Sequence, residues 1–245
     1  MSRIVYQKSD IIEVGKFMNY SQLLTELQNN VDVKYKEFND KIVNANVPSL
    51  GCRMPYLRKL AKKLTVEDAV GFPVHANLET DTLTGMVIAN CKLPFVDKAP
   101  LLHSFANTIE NWAVCDCNTV KVGKKESEQY FVFFLDLVKS DKPFVCRYGV
   151  VNLMSSYLDE QHIDDVFAAL STVVCYGHYY VDMAVAWLVA TAAAKCRDKT
   201  FAYLHGDGRK VLNVFTYNKA LQKMRDSYRI SEIDKALTYQ LKRTE

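Results

Sequence analysis

Two side chains with complementary chemistry stand four residues apart in NWAVCDC, Asn111 to Cys117: the indole of Trp112 and the carboxylate of Asp116. On a helix that spacing places both on one face. An indole offers its π face to a cation, and a carboxylate stabilises positive charge or orients a water molecule. The plainer alternative is a core Trp beside an Asp that caps or pairs with a neighbouring helix. In a second segment, SDKPFVCRYGVVNLM from Ser140 to Met154, Arg147 interrupts an otherwise apolar run. A lone arginine there requires a carboxylate or an anionic ligand. It therefore forms either an inter-helix salt bridge or a phosphate contact, the latter shared with Asp116. A third segment, YYVDMAVAW from Tyr179 to Trp187, carries the second of the chain's two tryptophans.

Three basic groups accompany these segments. GCRMPYLRKLAKKL concentrates Arg53, Arg58, Lys59, Lys62 and Lys63; Lys121, Lys124 and Lys125 follow the Trp112 segment; Lys219, Lys223 and Arg225 come later. Cations on successive helices can line a phosphate track, and Arg53, Arg58, Lys62, Lys121, Lys124 and Lys125 are the candidates for it. Each group taken alone also suits an ordinary solvated helix face. The formal net charge of +3 permits nucleic-acid binding without requiring it, so any such footprint must come from local clustering. Other chemistries lack their residues. Cys115 and Cys117 point in nearly opposite directions on a helix and cannot chelate one zinc ion together. No CxxC, HExxH, P-loop or GxGxxG pattern occurs, and nothing in the sequence activates Cys115 with His103 as a nucleophile.

The elements that must position these residues read as helices. Leu57, Leu60, Ala61 and Leu64 fall at i, i+3, i+4 and i+7, and the runs Tyr130–Val138 and Val145–Leu158 behave alike. Strict alternation over a strand length is missing. Pro55 suits a first helical turn, Thr65 with Asp68 suits a capping box, and Ser231 with Asp234 suits the cap of a last helix. Pro94 and Pro143 each open an apolar run, and Asp207-Gly208 marks a turn. About a dozen helices of roughly 8 to 18 residues result. Helix pairs recurring every 35–40 residues or so between Glu79 and Lys195 fit a HEAT-like helical-repeat solenoid, an alpha-alpha superhelix, with a compact orthogonal bundle as the alternative. Residues 1–19 are expected as an irregular lead-in and residues 20–245 as a single all-α domain. Seven cysteines without a regular framework indicate a reducing intracellular compartment. The N-terminus lacks the apolar core of a secretory signal, and the most apolar stretch, Met183–Ala194, is too short to span a bilayer. A cytoplasmic, monomeric protein without membrane attachment is expected.

With LGCRMPYLRKLAKK, ENWAVCDC, PFVCRYGVVNLM, YYVDMAVAWL and YNKALQKMRDSYRI in this order and spacing, the chain from about Tyr35 to Arg243 resembles the DNA alkylation repair family of AlkD-like glycosylases. The resemblance implies a solenoid whose concave basic face cradles double-stranded DNA containing alkylated purines. It implies removal of cationic N3- and N7-alkylated purines by hydrolysis of the N-glycosidic bond, in base excision repair, without a metal or cofactor and with the base left in the stack. The family's catalytic Trp-x-x-x-Asp falls on Trp112 and Asp116, its DNA-contacting Arg on Arg147, and its second lesion-side Trp on Trp187. The sequence departs from the family's archetype at Met183 and Ala190, where basic residues are expected. Fold does not guarantee activity, and a non-catalytic helical-repeat module that binds DNA or a protein is the competing reading.

Overall fold

Helix caps divide the chain into short rods. In the computed structural model, which describes residues 17–43 and 45–244, these rods are fifteen α-helices: α1 (Tyr20–Gln28), α2 (Val33–Val43), α3 (Met54–Ala61), α4 (Val66–Gly71), α5 (Leu78–Asn90), α6 (Phe95–Ala106), α7 (Trp112–Cys117), α8 (Ser127–Val138), α9 (Pro143–Ser156), α10 (Ile163–Leu170), α11 (Tyr179–Lys195), α12 (Arg197–His205), α13 (Gly208–Val211), α14 (Val214–Asp226) and α15 (Glu232–Leu241). A short 3-10 turn, Lys124–Glu126, precedes α8. Among the described residues the only extended pairing outside the helices is a single antiparallel bridge between Val31 and Cys52. The expected lead-in lies outside the described residues up to residue 16; residues 17–19 are non-helical.

The starts follow from side chains that satisfy otherwise unpaired backbone N–H groups. Thr65 and Asp68 form the reciprocal capping box at α4. Ser231 accepts from the Asp234 N–H at α15. Pro55 and Pro143 occupy first-turn positions of α3 and α9, where the missing N–H costs nothing, and Pro94 stands just before α6 without a side-chain cap bond. Gly208 departs from expectation: it opens the one-turn helix α13 rather than a turn alone.

The helices pack largely on near neighbours in sequence, as in a repeat architecture. Helices α3 and α4 lie on α5, α5 on α6 and α7, α8 on α9, α9 on α11, and α11 on α12 and α14. The result is an all-α helical-repeat fold. Its core falls into two clusters joined through α5, which gives Leu83, Met86 and Val87 to the N-terminal cluster and Leu78, Ile88 and Ala89 to the larger one. Helices α9 and α11 are buried nearly all round; every residue from Val145 to Met154 is buried. Gly149 makes this possible, because a Cβ there would come within 2.9 Å of the Phe134 carbonyl oxygen and the Val138 nitrogen of α8. No described helix is long and apolar enough to cross a membrane.

Candidate active site

Helix α7 has only six residues, too few to persist by itself, so its position depends on what holds it. At its start, the Asn111 side chain accepts from the Ala113 N–H at 2.7 Å. At its end, α9 supplies three fastenings. Tyr148 donates its hydroxyl to the Asn118 carbonyl at 2.9 Å, and the Asn152 side-chain oxygen accepts from the Val120 N–H at 2.8 Å. Arg147 binds the Asp116 carboxylate through two bonds, Nε to Oδ1 at 3.0 Å and Nη2 to Oδ2 at 2.7 Å. The remaining Arg147 nitrogen, Nη1, donates to the Tyr180 carbonyl at the start of α11. From the other side α5 approaches closely at Gly85, where a Cβ would collide with Phe105 and Asn118.

The fork-on-fork arrangement fixes both oxygens of Asp116. It also consumes Arg147, whose side chain is 6% exposed against 15% for Asp116. The ion pair, of the two alternatives for Arg147, is what the structure displays. Cys115 is fully buried, which pushes its thiol well above the ordinary range, so it is no nucleophile. Cys117 lies on the exposed side. Among the described residues, no group of three or more His, Cys, Asp or Glu side chains is placed to hold a metal ion.

Asp116 opens onto a cleft of about 710 Å³, whose walls include Met154, Trp187, Lys195, Lys223 and Arg229. Trp187 is 40% exposed there. Trp112 does not join it: the indole is half-buried and packs against the main core, outside the residues that line the cleft. Of the four residues singled out by sequence, Asp116 and Trp187 therefore share the cleft, Arg147 holds Asp116, and Trp112 anchors the base of α7. Ala190 lines the cleft as a buried apolar residue and Met183 is half-buried.

The basic candidates divide similarly. Arg58 and Lys62 are exposed on and just after α3, and Lys121, Lys124 and Lys125 are exposed between α7 and α8. Arg53 is engaged instead, bonded to Asp32 at 2.8 Å and lying 5.1 Å from the Tyr35 ring centre. Sequence reasoning named Lys223 only as part of a basic group and passed over Lys195 and Arg229. Lys195 had a signal: Trp187, Thr191 and Lys195 follow one another at four-residue spacing, and all three line the cleft. Arg229 had none, since it lies in the turn between α14 and α15.

A model of the family described as DNA alkylation repair enzyme matches residues 23–224. The chain belongs to this DNA alkylation repair enzyme family. The matched span takes in α7, α9, α11 and Lys223, so the ion pair and most of the cleft lie inside the family's common region. Arg229 and α15 lie beyond it. No curated protein matches the chain. Membership sets DNA alkylation repair as the function of this DNA alkylation repair enzyme at the level of its family.

Proposed function

We propose that the protein is an alkylpurine DNA glycosylase that hydrolyses the N-glycosidic bond of cationic N3- and N7-alkylated purines in duplex DNA. The observation that carries this reading is the Asp116 carboxylate, held by Arg147 at 3.0 and 2.7 Å on the wall of a cleft that it shares with an exposed tryptophan. Alkylation at N3 or N7 makes the purine cationic and a good leaving group. The bond from C1′ to the base breaks, its electron pair goes to the purine and cancels the charge there, and the sugar takes up oxocarbenium character. Asp116 stabilises that charge and positions the water that adds to C1′ and gives up one proton to solvent. Because the charge on the sugar is full only near the transition state, the carboxylate acts on the barrier more than on binding. Trp187 packs against sugar and backbone beside the lesion. Arg147 and Trp112 are positioning residues, one fixing the carboxylate and the other seating α7. Arg58, Lys62, Lys121, Lys124 and Lys125 contact the DNA backbone. Residues 20–245 act as one domain, as a cytoplasmic monomer, and no step of this scheme calls on a metal or cofactor.

A second reading, a non-catalytic helical-repeat module, draws on the same pair, since both partners are largely buried as in an ordinary structural bridge. Single-turnover release of base from a duplex with one 7-methylguanine separates the two. The glycosylase reading expects release by the wild type and a fall on the order of 10²–10³ in Asp116→Asn, with duplex binding retained. No release by the wild type would leave the module reading standing, and unchanged release by a folded Asp116→Asn protein would remove Asp116 from the chemistry.

A further inference from the structure

The cleft contains a half-buried cation that no ion pair holds among the described residues, and its three lining cations outnumber its two lining carboxylates, Asp116 and Asp226. Other buried or half-buried cations are matched: Arg147 by Asp116, Lys199 by Asp164 at 2.7 Å, and Lys98 by the carbonyls of Ala89 and Cys91 at 2.7 and 3.1 Å. Lys223 on α14 is half-buried, yet among the described residues it makes neither an ion pair nor a side-chain hydrogen bond. Its charged neighbours are mostly of its own sign. Burial, then Lys219, then Arg147 lower its pKa, and only Asp226 opposes them. Two further cations, Lys195 and Arg229, line the same cleft without an ion-pair partner among the described residues.

Holding like charges together at a partly shielded site is unfavourable in the free protein. An anion entering the cleft relieves it, which is how charge arrangements at binding sites differ from those that serve stability alone. The opening is also large enough for a group of nucleotide size, since small-molecule sites run from about 300 to 1,000 Å³. The hydroxyls of Thr119, Ser155 and Ser227 line it as well. Arg147 cannot take this role, because Asp116 and the Tyr180 carbonyl occupy it. Nor does the helix that carries Trp187 supply positive charge at Met183 or Ala190. The cations come from the end of α11, from α14 and from the turn after it.

We propose that Lys223, with Lys195 and Arg229, forms a phosphate subsite that receives a backbone phosphodiester of the DNA strand presented to Asp116. Naming that strand rests on the glycosylase reading; the anion site does not. The test uses binding of undamaged, end-labelled duplex across a sodium chloride series, so it needs no base release. Lys223→Gln is expected to weaken binding by about 3- to 10-fold and to lower the slope of log affinity against log salt by about 1, while Lys223→Arg restores both. Both variants keep the melting temperature of the wild type. Acylation of lysines followed by mass spectrometry gives a second readout. The duplex should protect Lys223, and inorganic phosphate at equal phosphate concentration should not. Unchanged affinity and slope in folded Lys223→Gln overturns the subsite. Equal protection by inorganic phosphate overturns its assignment to a DNA strand. A protein that fails to release 7-methylguanine can still pass both tests, and an active glycosylase can fail them, so the two proposals stand or fall separately.

Discussion

At the scale of single residues, the two tryptophans are chemically alike and differently placed. Trp112 is packed on the core and Trp187 is exposed in the cleft. Trp112→Ala should therefore lower stability by about 2 kcal/mol, since it removes part of a large apolar surface from the core, and reduce base release only by unseating α7. Trp187→Ala should leave stability within about 0.5 kcal/mol, as for a surface change, and still reduce release. Thermal unfolding beside single-turnover kinetics distinguishes them, and equal losses of stability would contradict the assignment. Arg147 gives the complementary case. Removing it leaves the Asp116 carboxylate mostly buried without its partner, which costs on the order of 3–5 kcal/mol. Arg147→Ala should lose both melting temperature and base release. A variant of wild-type stability would mean that solvent, rather than Arg147, compensates Asp116.

At the scale of elements, the site depends on close approach between helices. Helix α9 lies against α8 at Gly149 and on its own next turn carries Asn152, which fastens the chain after α7. Gly149→Ala should cost about 1–3 kcal/mol, because a methyl group has no room beside the α8 backbone. It should also lower base release through displacement of Arg147, measurable as a change in rate in protein that remains folded at low temperature. The loop into the basic helix α3 has its own clamp. Glu79, 4% exposed, accepts from the N–H groups of Leu50, Gly51 and Cys52 at 2.9, 2.7 and 3.0 Å. Glu79→Gln replaces one acceptor by a donor facing backbone donors, so a loss of about 1–3 kcal/mol in chemical denaturation is expected. No change in the denaturation midpoint would show that the loop holds its shape without the carboxylate.

At the scale of the whole molecule, a formal charge of +3 says little, and the distribution of unpaired cations says more. Lys121, Lys124 and Lys125 are exposed between α7 and the body of α8, next in sequence to Asp116. Replacing all three by Gln should flatten the salt dependence of duplex binding, since every phosphate that is no longer neutralised takes about 0.9 from the slope. Arg53→Gln should scarcely alter that slope, because Arg53 is already bonded to Asp32. A salt slope near zero for the wild type would argue against a backbone-tracking surface altogether.

Much of the architecture is present in the linear pattern. Capping at Thr65 and Ser231, proline at Pro55 and Pro143, and helical spacing in α3 are local properties, set by backbone N–H groups and side chains within a turn of each other. That is why an all-α repeat is legible in the sequence. The pattern also shows that Arg147 needs an anion, since burying an unmatched guanidinium is prohibitive. It leaves open which anion, and only the packing of α9 on α7 names Asp116. Likewise, four-residue spacing puts Trp112 and Asp116 on one side of α7, but what each meets there depends on the neighbours of a six-residue helix: Asp116 lines the cleft and the half-buried indole packs against the core. The cleft itself is invisible in the sequence, because it joins residues from Asp116 to Arg229 across four helices and two loops. Local interactions determine which segments are helical; which side chains share a cavity is decided by how those helices bury their apolar surface together, a property of the whole chain.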